Sequence, residues 1–383
     1  MKPEELECGA CGRSDPPEPE ATVCFACGKP LLARYALGEL PDGRELVRSW
    51  RSRSGGMWRY RELLPLQAGE RPVSLGEGGT PLLPVPAPGG ELEGIRLLVK
   101  DEGRNPTGSF KDRGLSAAVT RAVRDGADRF VIPSAGNAGA ALSAYAARAG
   151  CGARVYLPAD TPGGVRRRCR DYGADVREVD GLITDCGRRA EEHAERTGAA
   201  NVSTLREPYR LEGKKTMMLE IAEALEWRPP DAVVYPTGGG TGLIATWKVL
   251  GELAAAGVLE SRRTRMYAVQ SEGCAPVVRA WREGREEARE WEEADTEAWG
   301  LRVPSALGDF LILRALRESG GGAVTVGDEA MRRGVAELGS KAGVHASVEG
   351  GATLAAAREL ARAGEIAAGD TVVLFNTAHG LVY

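Results

Sequence analysis

From about residue 95 onward the chain alternates short β-branched runs with alanine-rich stretches, and this alternation narrows the folds open to it. Apolar residues in the alanine-rich stretches recur every three to four positions, which is the period of an amphipathic helix. Strands that alternate with helices predict an α/β protein with a largely parallel sheet. The predicted strands are RLLVKDE, RFVIPSA, ARVYLPA, DVREVDG, DAVVYPTG, RMYAVQSEG and DTVVLFNTA. The predicted helices are KDRGLSAAVTRAVRDGA, NAGAALSAYAARAG, GKKTMMLEIAEALEW, TGLIATWKVLGELAAAG and GATLAAARELARAG.

The loops that follow the strands are the expected place for a binding site, because open parallel sheets bind ligands beyond the carboxyl ends of their strands. Three such loops are rich in glycine and lead into a helix: residues 103–114, 133–139 and 236–242. A fourth, polar loop follows the last strand at 376–380. The sequence therefore predicts a site built from these four loops.

The first loop, GRNPTGSFKDRG, contains a lysine in a chain that otherwise uses arginine: of 50 basic residues only eight are lysine. Ser109 can cap the following helix and Asp112 resembles the second half of a capping box, which puts Lys111 in the first helical turn. The free amides and the positive dipole end at that position disfavour an ammonium group and favour the neutral, nucleophilic amine. Lys111 is thus a candidate Schiff-base lysine, and a surface lysine at a helix start is the alternative.

The second and third loops are suited to anions. In PSAGNAGA, small residues let a ligand approach the amides at a helix start, which suits a carboxylate, and Asn137 adds a side-chain amide. In YPTGGGTGL, three consecutive glycines before a helix form a backbone nest for a phosphate. No Lys-Ser/Thr pair follows, and Leu243 occupies the third glycine position of a dinucleotide fingerprint, so neither nucleotide motif fits. Ordinary glycine-rich turns are the alternative for both loops.

A Schiff-base lysine, a phosphate cradle and a carboxylate cradle on one sheet edge together predict pyridoxal phosphate chemistry on an amino acid. A net charge of −4 argues against a nucleic-acid or anionic-membrane surface as the main binding partner. No apolar run approaches the roughly 18–20 residues that span a bilayer. The N-terminal MKPEELECGACG lacks the apolar core of a secretory signal. We therefore expect a cytoplasmic enzyme with a small-molecule substrate.

Near the N-terminus two C-x2-C pairs lie twelve residues apart, a spacing that suits a small metal-binding module. Each pair closes a tight loop that points two thiolates at one tetrahedral ion. Gly12 and Gly28 follow the pairs and suit turns with a positive φ. Four protein ligands leave no open position, so the expected Zn2+ is structural, and four reduced cysteines without a metal are the alternative. The ligands would be Cys8, Cys11, Cys24 and Cys27.

From about residue 75 to the C-terminus the chain resembles the threonine synthase family of fold type II pyridoxal-phosphate enzymes. NPTGSFKDRG is similar to that family's cofactor-lysine motif, and SAGNAG, EPYRLEGKKT, PTGGGTGL and EGGATLAAA follow in the family's order and spacing. The resemblance implies a two-lobed α/β protein of open, mostly parallel sheets flanked by helices, with an N-terminal zinc ribbon. It also implies a homodimer. The implied units are a ribbon at 1–35, a large cofactor-binding lobe at 36–106 plus 204–383, and a small mobile lobe at 107–203.

The resemblance also implies roles toward the cofactor, pyridoxal 5′-phosphate. Lys111 would form the Schiff base and transfer protons, Asn137 would hydrogen-bond the 3′ oxygen, and Thr377 would meet the pyridine nitrogen. The residues that hold the phosphate would be Gly238, Gly239, Gly240, Thr241 and Gly242.

Toward the substrate, the resemblance implies contacts to a carboxylate and to a phosphate. Arg210, in EPYRLEGKKT, would contact the substrate phosphate with help from Thr204, whereas pairing of Arg210 with Glu207 or Glu212 is the structural alternative. The residues of the carboxylate loop would be Ser134, Ala135, Gly136, Asn137 and Ala138.

The implied reaction is that of a carbon–oxygen lyase acting on phosphates, which converts O-phospho-L-homoserine and water into L-threonine and phosphate. The chain departs from the family where Ala135 and Ala138 replace the frequent threonines, and where Ala378 and Val382 alter the last loop. His379 in that loop could act as an acid or base, or pack against the cofactor ring. The alternatives are β-replacement on O-phospho-L-serine or a related amino acid, as in cysteate-synthase-like enzymes, an amino-acid dehydratase, and a zinc-ribbon binding protein with an inactive α/β body.

Overall fold

A computed structural model describes residues 3–18, 21–86, 89–261 and 263–382, so residues 1, 2, 19 and 20 of the predicted ribbon lie outside the described part. The strands are β1 (Glu5–Cys8), β2 (Ser14–Asp15), β3 (Leu31–Arg34), β4 (Leu82–Pro84), β5 (Arg96–Asp101), β6 (Arg129–Pro133), β7 (Gly152–Pro158), β8 (Asp175–Val179), β9 (Ala200–Asn201), β10 (Ala232–Pro236), β11 (Arg265–Ser271), β12 (Gly322–Val326) and β13 (Thr371–Asn376). The helices are α1 (Gly43–Ser52), α2 (Lys111–Arg124), α3 (Asn137–Ala149), α4 (Gly163–Asp171), α5 (Ile183–Thr197), α6 (Tyr209–Ala224), α7 (Thr241–Ala255), α8 (Pro276–Arg282), α9 (Asp309–Ser319), α10 (Asp328–Ala342) and α11 (Val348–Arg362).

The strands form three sheets. The largest has the order β12-β11-β10-β13-β5-β4 and is parallel except for β4, which runs antiparallel to β5. A second, parallel sheet has the order β8-β7-β6-β9. The third is a small antiparallel sheet at the N-terminus, β2-β1-β3. All seven predicted strands occur, and the prediction of a largely parallel α/β fold is confirmed.

Both faces of the six-stranded sheet are buried, which explains the almost continuous apolar runs of its central strands. Along β10 the side chains alternate between two apolar clusters. Val233 and Tyr235 pack on one face, and Ala232 and Val234 pack on the other. The sheet is therefore a rigid support for the loops that leave its carboxyl edge.

Helices α2 and α6 approach each other closely through two glycines. A Cβ atom at Gly213 would lie 1.8 Å from the carbonyl oxygen of Arg113, and one at Gly114 would lie 2.9 Å from that of Arg210. Only glycine fits such backbone contacts, so the crossing fixes the first turn of α2, which begins at Lys111, against the first turns of α6.

The N-terminal sheet packs against the α/β body through its last strand. Leu6, Ala33 and Tyr35 share an apolar cluster with Tyr209 of α6, and the Lys215 ammonium lies 4.3 Å from the centroid of the Tyr35 ring. None of the described helices combines the length and the apolar character that crossing a bilayer requires.

Candidate active site

Three of the four predicted loops meet at one edge of the six-stranded sheet. Strand β13 lies between β5 and β10, and Asn376 at its end is in register with Asp101 at the end of β5. The loops that follow these two strands then hydrogen-bond to each other, because the Phe110 amide donates to the Thr377 carbonyl at 3.0 Å. The glycine loop after β10 leaves from the neighbouring strand.

Lys111 lies in the first turn of α2, as predicted, and is the first residue of the helix, but the predicted capping box is wrong. Phe110 occupies the N-cap position. The buried Asp112 carboxylate accepts from the Thr107 amide at 2.7 Å and from the Thr107 hydroxyl, and not from the Ser109 amide as a capping box would require. The reason is that the preceding turn, with φ of +81° at Gly108, brings Thr107 back over the helix start. Asp112 thus holds the loop that carries Lys111.

The Lys111 amine has an electrostatic setting that favours its neutral form. Burial and the nearby positive charge of Arg210 lower the pKa of Lys111 to about 8, while the Glu349 carboxylate opposes the shift. Its Nζ lies 4.4 Å from the centroid of the Phe110 ring. At pH 7, one unit below this pKa, about a tenth of the amine is unprotonated and nucleophilic, compared with far less for an ordinary lysine.

The YPTGGGTGL loop forms a backbone cradle that excludes side chains. A Cβ atom would lie 2.2 Å from the Gly300 carbonyl oxygen at Gly238, 2.1 Å from Ile312 Cδ1 at Gly240 and 1.7 Å from the Tyr235 hydroxyl at Gly242. Gly240 also has a φ of +69°. The loop runs directly into α7, whose first-turn amides have no partner within the helix. Such a glycine cradle at a helix start fits the phosphate of a cofactor.

The SAGNAG loop lies at the carboxyl end of β6, in the four-stranded sheet. Asn137 begins α3 and is buried, and Ala138 packs into the apolar core beneath it. The Ser134 hydroxyl accepts from the Gly139 amide at 2.9 Å and so provides a partner for one amide in the first turn of α3. Ala135 and Gly136 are half-buried and leave the first turn of α3 accessible to a small anion.

Arg168 on α4 was not identified from the sequence, although it contacts three parts of the site. Its guanidinium donates to Asn137 Oδ1 at 2.7 Å, to the Val382 carbonyl at 2.9 Å and to the Thr107 carbonyl at 3.2 Å. Because the Asn137 oxygen accepts from Arg168, the Asn137 Nδ2 group remains as a donor. Arg168 also connects the four-stranded sheet to the lysine loop and the last loop.

Arg210 is buried on the first turn of α6, with 1% of its surface exposed. Its Nη1 donates to the Val202 carbonyl at 2.6 Å, whereas Nε and Nη2 have no hydrogen-bond partner among the described residues. Neither alternative pairing occurs. The Glu207 carboxylate accepts from the backbone amides of Tyr209 and Arg210, and Glu212 pairs with Lys215. Burial lowers the pKa of Arg210 to about 10, although Glu207 opposes this. Two unmatched donors on a buried cation fit an anionic ligand.

Lys214, one turn after Arg210, is a second cation that was not identified from the sequence. It is fully buried, and its Nζ donates to the Thr241 hydroxyl at 2.6 Å, at the start of α7. The only sequence signal was its rarity: it is one of eight lysines, and the EGKKT motif alone does not reveal that it is buried.

The remaining predicted residues border this region. Thr204 is exposed, and its Cγ2 lies 3.3 Å from where a Cβ atom would stand at Gly239. Thr377 directly follows β13 and is buried. The ring of His379 packs edge-on against His345, with centroids 5.0 Å apart, and its Nδ1 accepts from the amide of Leu381.

The four N-terminal cysteines converge as their spacing predicted. Their Sγ atoms all lie within 4.8 Å of one another, with 3.5 Å between Cys8 and Cys27 and 3.8 Å between Cys11 and Cys24. These separations fit a tetrahedral zinc site, in which Zn–S bonds of about 2.3 Å place the sulfurs about 3.8 Å apart. Both following glycines have the predicted positive φ, +73° at Gly12 and +69° at Gly28.

Comparison with known proteins decides the family. Residues 73–378 match the family described as pyridoxal-phosphate dependent enzyme. This chain belongs to that family. The matched region contains all four loops described above, apart from the last two residues of the fourth.

Among curated relatives, the chain is similar to several threonine synthases. It is 33% identical to the threonine synthase of Methanocaldococcus jannaschii over 375 residues, which cover 98% of this chain and 92% of that protein. It is 34% identical to the threonine synthase of Halalkalibacterium halodurans over 336 residues, which cover 87% of this chain and 90% of that protein.

Solved structures of related enzymes share the fold. Maize serine racemase aligns with a TM-score of 0.68 and 22% identity, covering 79% of this chain and 88% of that one. The processed form of threonine deaminase isoform 2 from Solanum lycopersicum aligns with a TM-score of 0.67 and 21% identity, covering 78% of this chain and 79% of that one.

Proposed function

We propose that this chain is a threonine synthase, which converts O-phospho-L-homoserine and water into L-threonine and phosphate. Its threonine synthase relatives, over nearly the whole chain, support the proposal. The observation that carries the phosphate specificity is Arg210, a buried guanidinium with two unmatched donors close enough to lower the pKa of Lys111. A dehydratase, whose leaving group is a hydroxyl, has no need of such a cation.

The residues of the site fit pyridoxal phosphate. Gly238, Gly239, Gly240, Thr241 and Gly242 would hold its phosphate. The Lys111 amine would bond to the carbonyl carbon of the cofactor, and the free Asn137 Nδ2 would donate to the 3′ oxygen of the cofactor. Thr377 would meet the ring nitrogen with a hydroxyl, which does not hold that nitrogen protonated as a carboxylate would. When bound, the cofactor supplies an electron sink for carbanions of the amino acid.

Around that group, the side chains bind the substrate at both ends and move protons. The first turn of α3 would bind the substrate carboxylate through its amides. The Lys111 amine would take a proton from Cα and then one from Cβ, so that the Cγ–O bond to the phosphate can break, and it would return protons to Cγ and Cα. Arg210 would grip the γ-phosphate in two places and neutralise its charge as it leaves. Water then adds at Cβ, which completes the replacement.

We also propose that residues 107–203 act as a small lobe that closes over bound substrate, against a large lobe of 36–106 plus 204–383. The carboxylate loop at 134–138 belongs to the four-stranded sheet, and the phosphate cradle at 236–242 belongs to the six-stranded sheet. A substrate that bridges both would favour the closed form. Hydrogen exchange at 134–138 should slow when substrate is added, and equal exchange with and without substrate would contradict the closure.

For the N-terminal module, at 1–35, we propose one structural Zn2+ bound by Cys8, Cys11, Cys24 and Cys27. The amides of Ala10 and Cys11 point at Cys8 Sγ at 3.4 and 3.5 Å, as expected around a metal-bound thiolate. With four protein ligands the ion has no open position for a substrate.

The assay that tests the function is phosphate release by the purified protein from a panel of amino acids. O-phospho-L-homoserine should give phosphate and threonine in equal amounts, whereas O-phospho-L-serine, L-threonine and L-serine should react slowly or not at all. Phosphate release from phosphoserine alone would support the β-replacement alternative. Release of ammonia from L-threonine, with no phosphate released from either phospho-amino acid, would support the dehydratase alternative.

A further inference from the structure

We propose that Lys214 is a ligand of the cofactor's phosphate and supplies, once that anion is bound, the positive charge that the glycine cradle lacks. The proposal concerns the cofactor of the function proposed above. It adds a binding residue on α6 to a cradle that otherwise consists of the 238–242 loop.

The first argument is that Lys214 is buried without a counter-charge. The chain offers a comparison in two other buried lysines. Lys100 lies 2.7 Å from the Glu220 carboxylate and Lys215 lies 2.6 Å from that of Glu212. No carboxylate lies within ion-pair distance of Lys214 Nζ in the part of the chain that the structure describes. A buried cation of this kind is costly unless an anion accompanies it.

The surroundings of Lys214 make that imbalance larger. Burial lowers the pKa of Lys214 well below its ordinary value, and the positive charges of Arg210 and Lys111 lower it further. The nearby carboxylate of Glu207 is occupied by the first amides of α6. A phosphate beside Lys214, with about −1.5 to −2 charges, would offset both the cost of burying this ammonium and its repulsion by Arg210 and Lys111.

The second argument is position. The partner of Lys214 is the hydroxyl of Thr241, which is the first residue of α7 and follows the glycines of the cradle directly. An ammonium group has three donors, and Thr241 uses one of them. The other two have no hydrogen-bond partner among the described residues, and Nζ lies 5.3 Å from the centroid of the Phe110 ring, so we infer that they serve an anion bound at the start of α7. The aliphatic part of Lys214 packs closely against Gly114, since a Cβ atom added to that glycine would lie only 3.0 Å from Lys214 Cε.

The same position separates Lys214 from the substrate phosphate. Arg210 is one helical turn earlier on α6 and donates to the Val202 carbonyl, whereas Lys214 donates to Thr241 at the end of the cradle. We therefore assign the cofactor phosphate to Lys214 and the substrate phosphate to Arg210.

The experiment compares two probes that differ only in the phosphate, pyridoxal 5′-phosphate and pyridoxal, on cofactor-stripped full-length protein. In Lys214→Gln, the Kd for pyridoxal 5′-phosphate should rise about tenfold to a hundredfold, as expected for loss of one charge-assisted hydrogen bond. The Kd for pyridoxal should stay within about twofold of the wild-type value. The Kd for inorganic phosphate should rise by a factor similar to that for the phosphorylated cofactor.

The matched control is Lys100→Gln, which removes an equally buried lysine that already has a carboxylate partner. It should lower the melting temperature without changing the ratio of the two Kd values. Equal weakening of both probes in Lys214→Gln would overturn the proposal in favour of a structural role. Unchanged cofactor binding with a higher KM for the phospho-substrate would overturn it in favour of a substrate contact.

Failure of this proposal and failure of the threonine synthase proposal give different results. If wild-type protein prefers pyridoxal 5′-phosphate to pyridoxal and Lys214→Gln loses that preference, the role of Lys214 stands even when no phospho-amino acid is turned over. If wild-type protein does not discriminate between the probes, the phosphate cradle itself is refuted, and Lys214 with it.

Discussion

Replacing Arg210 by alanine tests the substrate assignment most directly. The variant should raise KM for O-phospho-L-homoserine by about a hundredfold, because a charge-assisted hydrogen bond contributes about 1.5–3 kcal/mol and each 1.4 kcal/mol is a factor of ten. The upper part of that range applies because two donors, Nε and Nη2, are free to grip one phosphate. The visible absorbance of the bound cofactor should not change.

Two further variants separate charge from shape. Arg210→Lys should recover only part of the loss, because it restores the charge without the planar fork. Arg206→Ala is the matched control: Arg206 lies four residues earlier, pairs with Glu191 at 2.7 Å and is 43% exposed. It should leave KM within about twofold of wild type, as expected for an exposed pair.

A second readout in Arg210→Ala follows from electrostatics. Arg210 helps to lower the pKa of Lys111, so its removal should raise that pKa and move capture of pyridoxal phosphate by cofactor-free protein to higher pH. The reasoning is refuted if Arg210→Ala retains the wild-type KM and melts at a lower temperature. In that case the guanidinium only donates to the Val202 carbonyl and stabilises the fold.

Four other outcomes are expected from the site and the cysteine cluster. Lys111→Ala should abolish turnover and the cofactor absorbance while leaving the melting temperature close to that of the cofactor-free wild type, and any residual turnover would contradict its role. In cofactor-free wild-type protein the rate of pyridoxal phosphate capture should rise about tenfold per pH unit up to about pH 8 and then level off, because only the neutral Lys111 amine reacts; a rate that is flat from about pH 6 to 9 would contradict this. Arg168→Gln should lower kcat/KM about tenfold and shift the cofactor spectrum by releasing Asn137, whereas Arg170→Gln on the same helix should do neither. Metal analysis should find one zinc per chain, lost when Cys11 is replaced by serine, and a metal-free wild-type protein would refute the ribbon assignment.

The sequence predicted the parts of the fold that local chemistry determines. The β-branched runs of β10 and β13 and the glycines at 238–240 are visible in the chain, because strand preference and backbone freedom are properties of the residues themselves. The edge strand β12 was missed because its run, GAVTV, is short and begins within a stretch of glycines. The charged helices α5 and α10 were missed because they bury only a narrow face.

The parts of the site that were missed depend on contacts between distant segments. Nothing near Arg168 in the chain indicates that its partners are Asn137, Thr107 and Val382. The capping box predicted for Ser109 and Asp112 depended on a loop conformation that the sequence does not specify. Lys214 was visible as a rare lysine, but its burial arises only from the packing of α6 against α2 and α7.

The glycine crossing of α2 and α6 has a consequence for how the enzyme selects the length of its substrate. Sliding one helix along the other would drive backbone atoms into each other, since Gly213 already lies against the Arg113 carbonyl. The spacing between the backbone at Lys111 and the backbone at Arg210 is therefore a property of the helix pair, and the proposed closure of residues 107–203 must leave this helix contact in place. We expect this fixed spacing to favour one length of substrate, and a phospho-amino acid shorter by one methylene should contact Lys111 and Arg210 together less well. A change in the preferred chain length should then require a change in this helix crossing.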